Sequence, residues 1–156
     1  MRRLAIAIFV LMLPMGQGAW AATASGNSAL ALAAIVAGYS PVVSSADKVA
    51  LAKVFDGNLS VPNKTIVVKA NAILCRVSNV DISARSCELT FGTTKITRTG
   101  RKAHELFATL AEVGVPPDGA AGTIFEGLKN LDCKINLHEI KQKAGGGADC
   151  SFDPGP

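Results

Sequence analysis

Four cysteines are the residues of this chain with the widest range of possible chemistry. They are Cys75, Cys87, Cys133 and Cys150. No two of them have the C-x-x-C spacing of a redox motif or of a common zinc site, and an even number of cysteines in an exported chain is typical of disulfides. The spacings therefore favour two structural disulfides over a zinc site or a reactive thiol.

The two histidines, His104 and His138, lie in no pattern that supports catalysis. A histidine base needs a nucleophile and an orienting acid, yet the sequence contains no G-x-S-x-G motif and keeps no free thiol once two disulfides form. Asp81 and Glu139 could be imagined as a carboxylate pair for acid–base work, but equivalent turns explain their positions more simply. We therefore predict no catalytic residue, no bound metal and no cofactor.

Basic residues are concentrated at one predicted junction between a strand and a helix. Arg98 lies near the end of the strand, and Arg101 and Lys102 fall in the first turn of the helix, where the helix dipole disfavours positive charge. Together with Gly100 and the free N–H groups of the helix start, they could hold an anion. The alternative is a solvated strand edge beside a charged helix start. We predict an anion or partner contact at Arg98, Arg101 and Lys102.

The N-terminal residues have the three-part layout of a secretory signal peptide. Arg2 and Arg3 precede an apolar stretch over 4–15, and Ala19-Trp20-Ala21 is a small-x-small sequence suited to signal peptidase. A retained membrane anchor is the alternative, but this stretch falls well short of the roughly 20 apolar residues that a bilayer requires. We predict a signal peptide over 1–21, a mature chain that starts near Ala22, no transmembrane anchor, and a periplasmic or secreted location. The alanine-rich signal is typical of bacteria.

The charge balance excludes two classes of partner. The chain has 16 Lys and Arg against 12 Asp and Glu, and removing residues 1–21 takes away two arginines, so the mature net charge is 14 minus 12, or +2. Such a weak excess does not support nucleic-acid binding or attachment to an anionic membrane. We expect a partner that is another exported or envelope protein.

The predicted elements change character near residue 61. Residues 22–60 read as a polar spacer and two helices, over 29–39 and within 44–58, because helix formers and capping serines dominate there. Residues 61–156 are rich in strands, because β-branched residues alternate with polar ones. The strands are predicted within 64–77, 86–92, 94–99, 122–135 and 148–153, with a helix over 100–115 and a loop of about one helical turn over 136–147.

Two segments, 65–75 and 123–133, resemble each other. Thr65, Ile66 and Cys75 correspond to Thr123, Ile124 and Cys133 at one constant offset, and each segment follows a helix and a Val-Pro pair. This order predicts two related units, at roughly 44–92 and 99–154, although chance similarity between strands is the alternative. Equivalent cysteines should form equivalent bridges, so we predict the cross-strand pairs Cys75–Cys87 and Cys133–Cys150.

These observations predict an α+β fold in which helices pack on one face of an antiparallel sheet built from two related helix–strand–strand units, each with one disulfide. The function they favour is that of an exported, non-catalytic binding or inhibitor-type protein. The alternatives are a small periplasmic enzyme, such as a hydrolase, and a structural or cell-surface-associated envelope protein. No motif in the sequence identifies the partner.

Overall fold

A computed structural model describes residues 21–78, 81, 84–117, 119 and 123–155. Within these ranges the chain forms six strands and four helices. In chain order they are β1 (Ala22–Ser25), α1 (Gly26–Tyr39), α2 (Ser45–Phe55), β2 (Thr65–Ser78), β3 (Ser86–Phe91), β4 (Thr94–Thr99), α3 (Gly100–Glu112), β5 (Thr123–Asn136), α4 (Leu137–Gln142) and β6 (Ala148–Pro154). The predicted signal peptide lies outside the described residues, apart from Ala21.

The six strands form one antiparallel sheet in the order β1-β6-β5-β2-β3-β4. Its centre is the pair β2 and β5, each 14 residues long, which run side by side from Thr65 opposite Asn136 to Ser78 opposite Thr123. The shorter strands β3 and β6 flank this pair, and β4 and β1 form the two edges. The predicted α+β class and antiparallel sheet are confirmed.

On both long strands, the alternation of buried and exposed residues shifts by one position at the same place. On β2 the buried positions are even-numbered before residue 71 and odd-numbered after residue 72: Ile66, Val68, Ala70, then Ile73, Cys75, Val77. On β5 the buried positions change parity between Leu128 and Leu131, directly opposite. Asn130, between them, has a left-handed φ of 53°, which asparagine tolerates better than most residues. The strands bend here and still direct their apolar side chains to the same core.

Helices α1 and α3 pack against each other and against the sheet, and α2 packs against α1. Helix α1 lies between the sheet and α2 and buries a broad stripe of six residues: Ala29, Leu30, Leu32, Ala33, Val36 and Ala37. Helix α3 buries a narrower stripe, Ala103, Leu106 and Leu110, at the i, i+3, i+7 spacing of a surface helix. Of the helices that the structure describes, none has the length and apolar character needed to cross a membrane.

Both predicted disulfides are present. Cys75 bonds to Cys87 and Cys133 bonds to Cys150, so all four cysteines are used. In each pair the two residues lie directly opposite each other on neighbouring antiparallel strands. Each bridge is therefore a cross-strand link between a long central strand and its shorter neighbour.

Two local predictions need correction. The residues predicted as a polar spacer include strand β1, which exists because β6 supplies its partner: Ala22 pairs with Phe152 and Ser25 with Asp149. Helix α1 begins at Gly26, earlier than predicted, where the backbone turns from strand to helix with a φ of 64° that glycine adopts without strain. The single helical turn expected within 136–147 is the short helix α4.

Candidate binding surface

The structure places Arg98, Arg101 and Lys102 together at the junction of β4 and α3, as their spacing in the sequence requires. The guanidinium of Arg98 lies over the ring of Tyr39, 4.7 Å from its centroid, and Nη1 donates a hydrogen bond of 2.9 Å to the Thr97 carbonyl oxygen. Burial raises the pKa of Tyr39, and the charge of Arg98 opposes this increase. Arg98 therefore joins the edge strand to the end of α1 and is partly engaged in packing.

Arg101 and Lys102 are both exposed on the first turn of α3. The Nε of Arg101 donates to Oε1 of Glu105 over 3.0 Å, one helical turn along, but the arginine side chain remains 90 % exposed. The first turn of α3 contains no acidic residue, and Thr99 gives it no side-chain cap. An exposed ion pair of this kind contributes little to stability. The two cations are therefore accessible to a partner.

Sequence reasoning missed a further arginine at this junction. Arg85, just before β3, approaches Nδ1 of His104 through its Nη1, and its guanidinium lies 5.7 Å from the centroid of the Phe107 ring. His104 itself is exposed. Arg85 directly precedes β3, and β3 pairs with β4, which leads into α3. The position of Arg85 at this junction therefore follows from the pairing of the two strands and not from a local sequence pattern. We use the name basic junction for Arg85, Arg98, Arg101 and Lys102 together.

A second surface feature is a groove of about 480 Å³ between three helices, which we call the helical groove. Each helix contributes residues at helical spacing: α1 gives Ala31, Ala34 and Ile35, α2 gives Ala52, Phe55 and Asp56, and α3 gives Glu105, Ala108, Thr109 and Glu112. Alanines make up most of its apolar lining, so backbone lies close to the surface. Phe55, which lines the groove, is 56 % exposed, and Val49, earlier on α2, is 54 % exposed.

The helical groove is acidic at its rim. Asp56, Glu105 and Glu112 line it, and no lysine or arginine is among the described residues that do so. This contrasts with the net positive charge of the whole chain. Sequence analysis missed the groove because its residues come from three separate helices, and only the packing of these helices brings them together.

One acid is buried within the sheet, on the central strand β5. Glu126 on β5 is opposite Cys75 and is only 1 % exposed. Its Oε2 has no hydrogen-bond partner among the described residues. Burial raises the pKa of Glu126 to about 7, because an ionised carboxylate loses its hydration there.

No group of three or more histidine, cysteine or acidic side chains is arranged to hold a metal in the described part of the chain. His104 lies on α3, whereas His138 lies on α4, where its Nε2 is 2.9 Å from Nε2 of Gln142. The chain matches no protein-family model, no curated protein and no solved structure. Function must therefore be argued from the basic junction and the helical groove.

Proposed function

We propose that this protein is an exported, non-catalytic binding protein whose partner contacts the basic junction. Export is supported by two disulfides, which persist in oxidising compartments, and by the signal-like sequence over 1–21. Cleavage after Ala21 would leave every described element intact, because β1 begins at Ala22. The location would be periplasmic or extracellular.

We further propose that the fold consists of two copies of a strand–helix–strand–strand unit: β1-α1-β2-β3 and β4-α3-β5-β6. This unit differs from the helix–strand–strand unit that the sequence predicts at roughly 44–92: it begins with an added strand, and the helix of its first copy is α1 in place of the helix within 44–58. In this proposal α2 and α4 are insertions between the elements of the units. Three features support the proposal. The long strands are equal in length and begin at the matching residues Thr65 and Thr123, both disulfides join the third and fourth elements, and the first strand of each unit pairs with the last strand of the other.

The two helix starts give independent support. Gly26 and Gly100 both have positive φ, 64° and 61°, directly after a strand. Fully buried Ala29 and Ala103 follow at the same distance along each helix, and a disulfide sulfur lies against the carbonyl oxygen of each: Cys150 Sγ at 3.5 Å and Cys87 Sγ at 3.3 Å, respectively. Similar residues thus make similar contacts in both units.

One difference between the proposed copies supports a binding role for the basic junction most strongly. When Gly26 is aligned with Gly100, Arg98, Arg101 and Lys102 correspond to Ala24, Asn27 and Ser28. The first unit therefore builds the same strand–helix junction without any cation. If the fold does not need these charges, and the dipole at the start of α3 disfavours them, an anionic group on a partner would offset their cost.

The binding role is tested by replacing Arg101 and Lys102 with alanine in the exported protein. We expect the fold to be unchanged or slightly more stable, because the unfavourable interaction with the helix dipole is removed. Capture of a partner by cross-linking in the exported fraction should fall roughly fivefold at low ionic strength and less at high salt.

The matched control replaces Lys129 and Lys134, two exposed lysines on β5, so that the net charge changes equally. Normal capture by the Arg101 and Lys102 variant, combined with a loss of stability, would mean that the two cations are structural. Export is tested separately by the intact mass of protein recovered from the periplasm or medium. A mass that includes residues 1–21 would refute cleavage near Ala22.

A further inference from the structure

We propose that the helical groove binds a cationic amphipathic helix supplied by the partner. The inference builds on the proposed binding function and concerns the surface beside the basic junction, which it meets at the ion pair between Arg101 and Glu105. Three observations support it: the shape of the groove, its charge, and the contribution of helix α2, which lies in the first proposed unit.

The shape of the groove fits a helix. The four α3 residues that line it are spaced i, i+3, i+4 and i+7, which is a continuous face of two turns, about 10 Å long. The contributions of α1 and α2 follow the same spacing. Ala31, Ala34 and Ala108 leave room for another backbone to approach, as required where one helix packs into the groove between others.

The charge of the groove selects the kind of helix. Asp56 lies at the end of α2 and Glu112 at the end of α3, so each carboxylate is next to the negative end of a helix dipole. Their negative charges therefore reinforce the dipoles at this rim. On the incoming helix, lysine or arginine residues beside an apolar stripe would offset the two carboxylates and the two dipoles. An acidic helix would be repelled.

Within the described residues, helix α2 has no counterpart in the second proposed unit, so the groove that it completes belongs to the first unit's side of the molecule. Residues 40–64 connect α1 to β2 and contain α2, whereas residues 113–122 connect α3 to β5. Although α2 buries Ala50, Leu51 and Val54 against its neighbours, it also exposes Val49 and Phe55. An added helix that is apolar on two sides is suited to packing between the body of the protein and a further helix.

The test uses the mature protein and a synthetic peptide of about 15 residues, with leucine and alanine at i, i+3, i+4 spacing and lysine elsewhere. Binding is followed by two-dimensional ¹⁵N–¹H NMR. We expect shift changes centred on Ala31, Ala52 and Ala108. The same peptide with glutamate in place of lysine should bind at least tenfold more weakly, because the rim repels it.

The variant Asp56→Lys/Glu112→Lys should weaken binding of the lysine peptide about tenfold without unfolding the protein, because cations suit the two helix C-termini. The control Glu88→Lys/Asp149→Lys makes the same change in net charge on the sheet face turned away from the helices, and should change the affinity less than about twofold. Ala108→Trp should block the groove and abolish the shifts there.

Three results would overturn the groove proposal: no shift changes with the lysine peptide, shift changes centred elsewhere, or equal binding of the two peptides. A natural partner captured in the exported fraction with undiminished yield by the Asp56→Lys/Glu112→Lys variant would also overturn it. That last result would leave the proposed binding function standing.

Discussion

Glu126 is a carboxyl group placed among buried side chains of the sheet, and its protonation is therefore linked to folding. Its pKa is about 7 in the folded protein, against 4.5 for an exposed glutamate. The folded state thus keeps a proton that the unfolded chain releases between these two values. Because the unfolded state binds fewer protons in this window, the free energy of unfolding falls as pH rises through it and is constant above it.

We expect the wild-type protein to lose up to about 3 kcal/mol of stability between about pH 4.5 and pH 7 through this one group. Glu126→Gln retains the shape of the side chain and cannot ionise, so its stability should depend much less on pH in the same range. Urea denaturation at several pH values measures the slope. The control Glu88→Gln, at a half-exposed position, should keep the wild-type slope. If Glu126→Gln also keeps the wild-type slope, other groups govern the pH dependence.

The sequence predicted three of the four residues of the basic junction but not their different roles. Arg98, Arg101 and Lys102 are close in the chain, so a strand followed by a helix must bring them together. The stacking of Arg98 on Tyr39 depends on α1 ending beside β4, and that contact joins residues far apart in the chain. Arg85 and the helical groove likewise depend on tertiary packing, which local pattern does not encode.

At the scale of elements, the two disulfides link neighbouring strands of the sheet covalently. Each joins directly opposed residues, and their sequence separations are 12 and 17. Restricting the unfolded chain by closing loops of these sizes is worth about 3 kcal/mol each, with a difference of only a few tenths between them. All four cysteines are buried, so neither bridge is exposed to reductant in the folded state.

We expect Cys75→Ala/Cys87→Ala and Cys133→Ala/Cys150→Ala each to lower the free energy of unfolding by about 3 kcal/mol or somewhat more, since each also leaves a small cavity under a helix. The two losses should be similar, because the bridges occupy corresponding positions in the proposed units. Urea unfolding of both variants beside the wild-type protein provides the comparison. A loss in one variant only would contradict the equivalence of the bridges.

The elements that the sequence predicted best are those with a clear internal pattern. Alternation in TKITRT predicted β4 with the bounds it has, and the helix predicted over 100–115 is α3, Gly100–Glu112. Strand β1 is short and made mostly of alanine and serine, and its pairing is determined by β6 at the other end of the chain. Nothing within the segment itself distinguishes it from a spacer.

At the scale of the whole molecule, the edges of the sheet are built alike. β3 and β4 form a hairpin in which Cys87 pairs with Arg98, and Phe91 with Thr94. β6 and β1 pair in the same way, with Cys150 opposite Ala24. They are the last and the first of the described strands, so no hairpin turn connects β6 to β1. In the proposed duplication, a short turn from Gly155 to Ala22 would be the counterpart of the turn at Gly92, and both glycines have positive φ.

This correspondence predicts that a circular permutant will fold. The permutant starts at Thr93, joins Gly155 to Ala22 through about three residues, and ends at Gly92, so the two units exchange their order in the chain while every strand pair is kept. We expect both native disulfides and a melting temperature within about 10 °C of the wild-type mature protein, measured by circular dichroism and peptide mapping. A second permutant, opened between Asn71 and Ala72 at the shared bend of β2 and β5, interrupts the central strand pair and should not fold. If the permutant opened at Thr93 is equally unfolded, the order of the units matters to the fold and the proposed equivalence of its two edges is wrong.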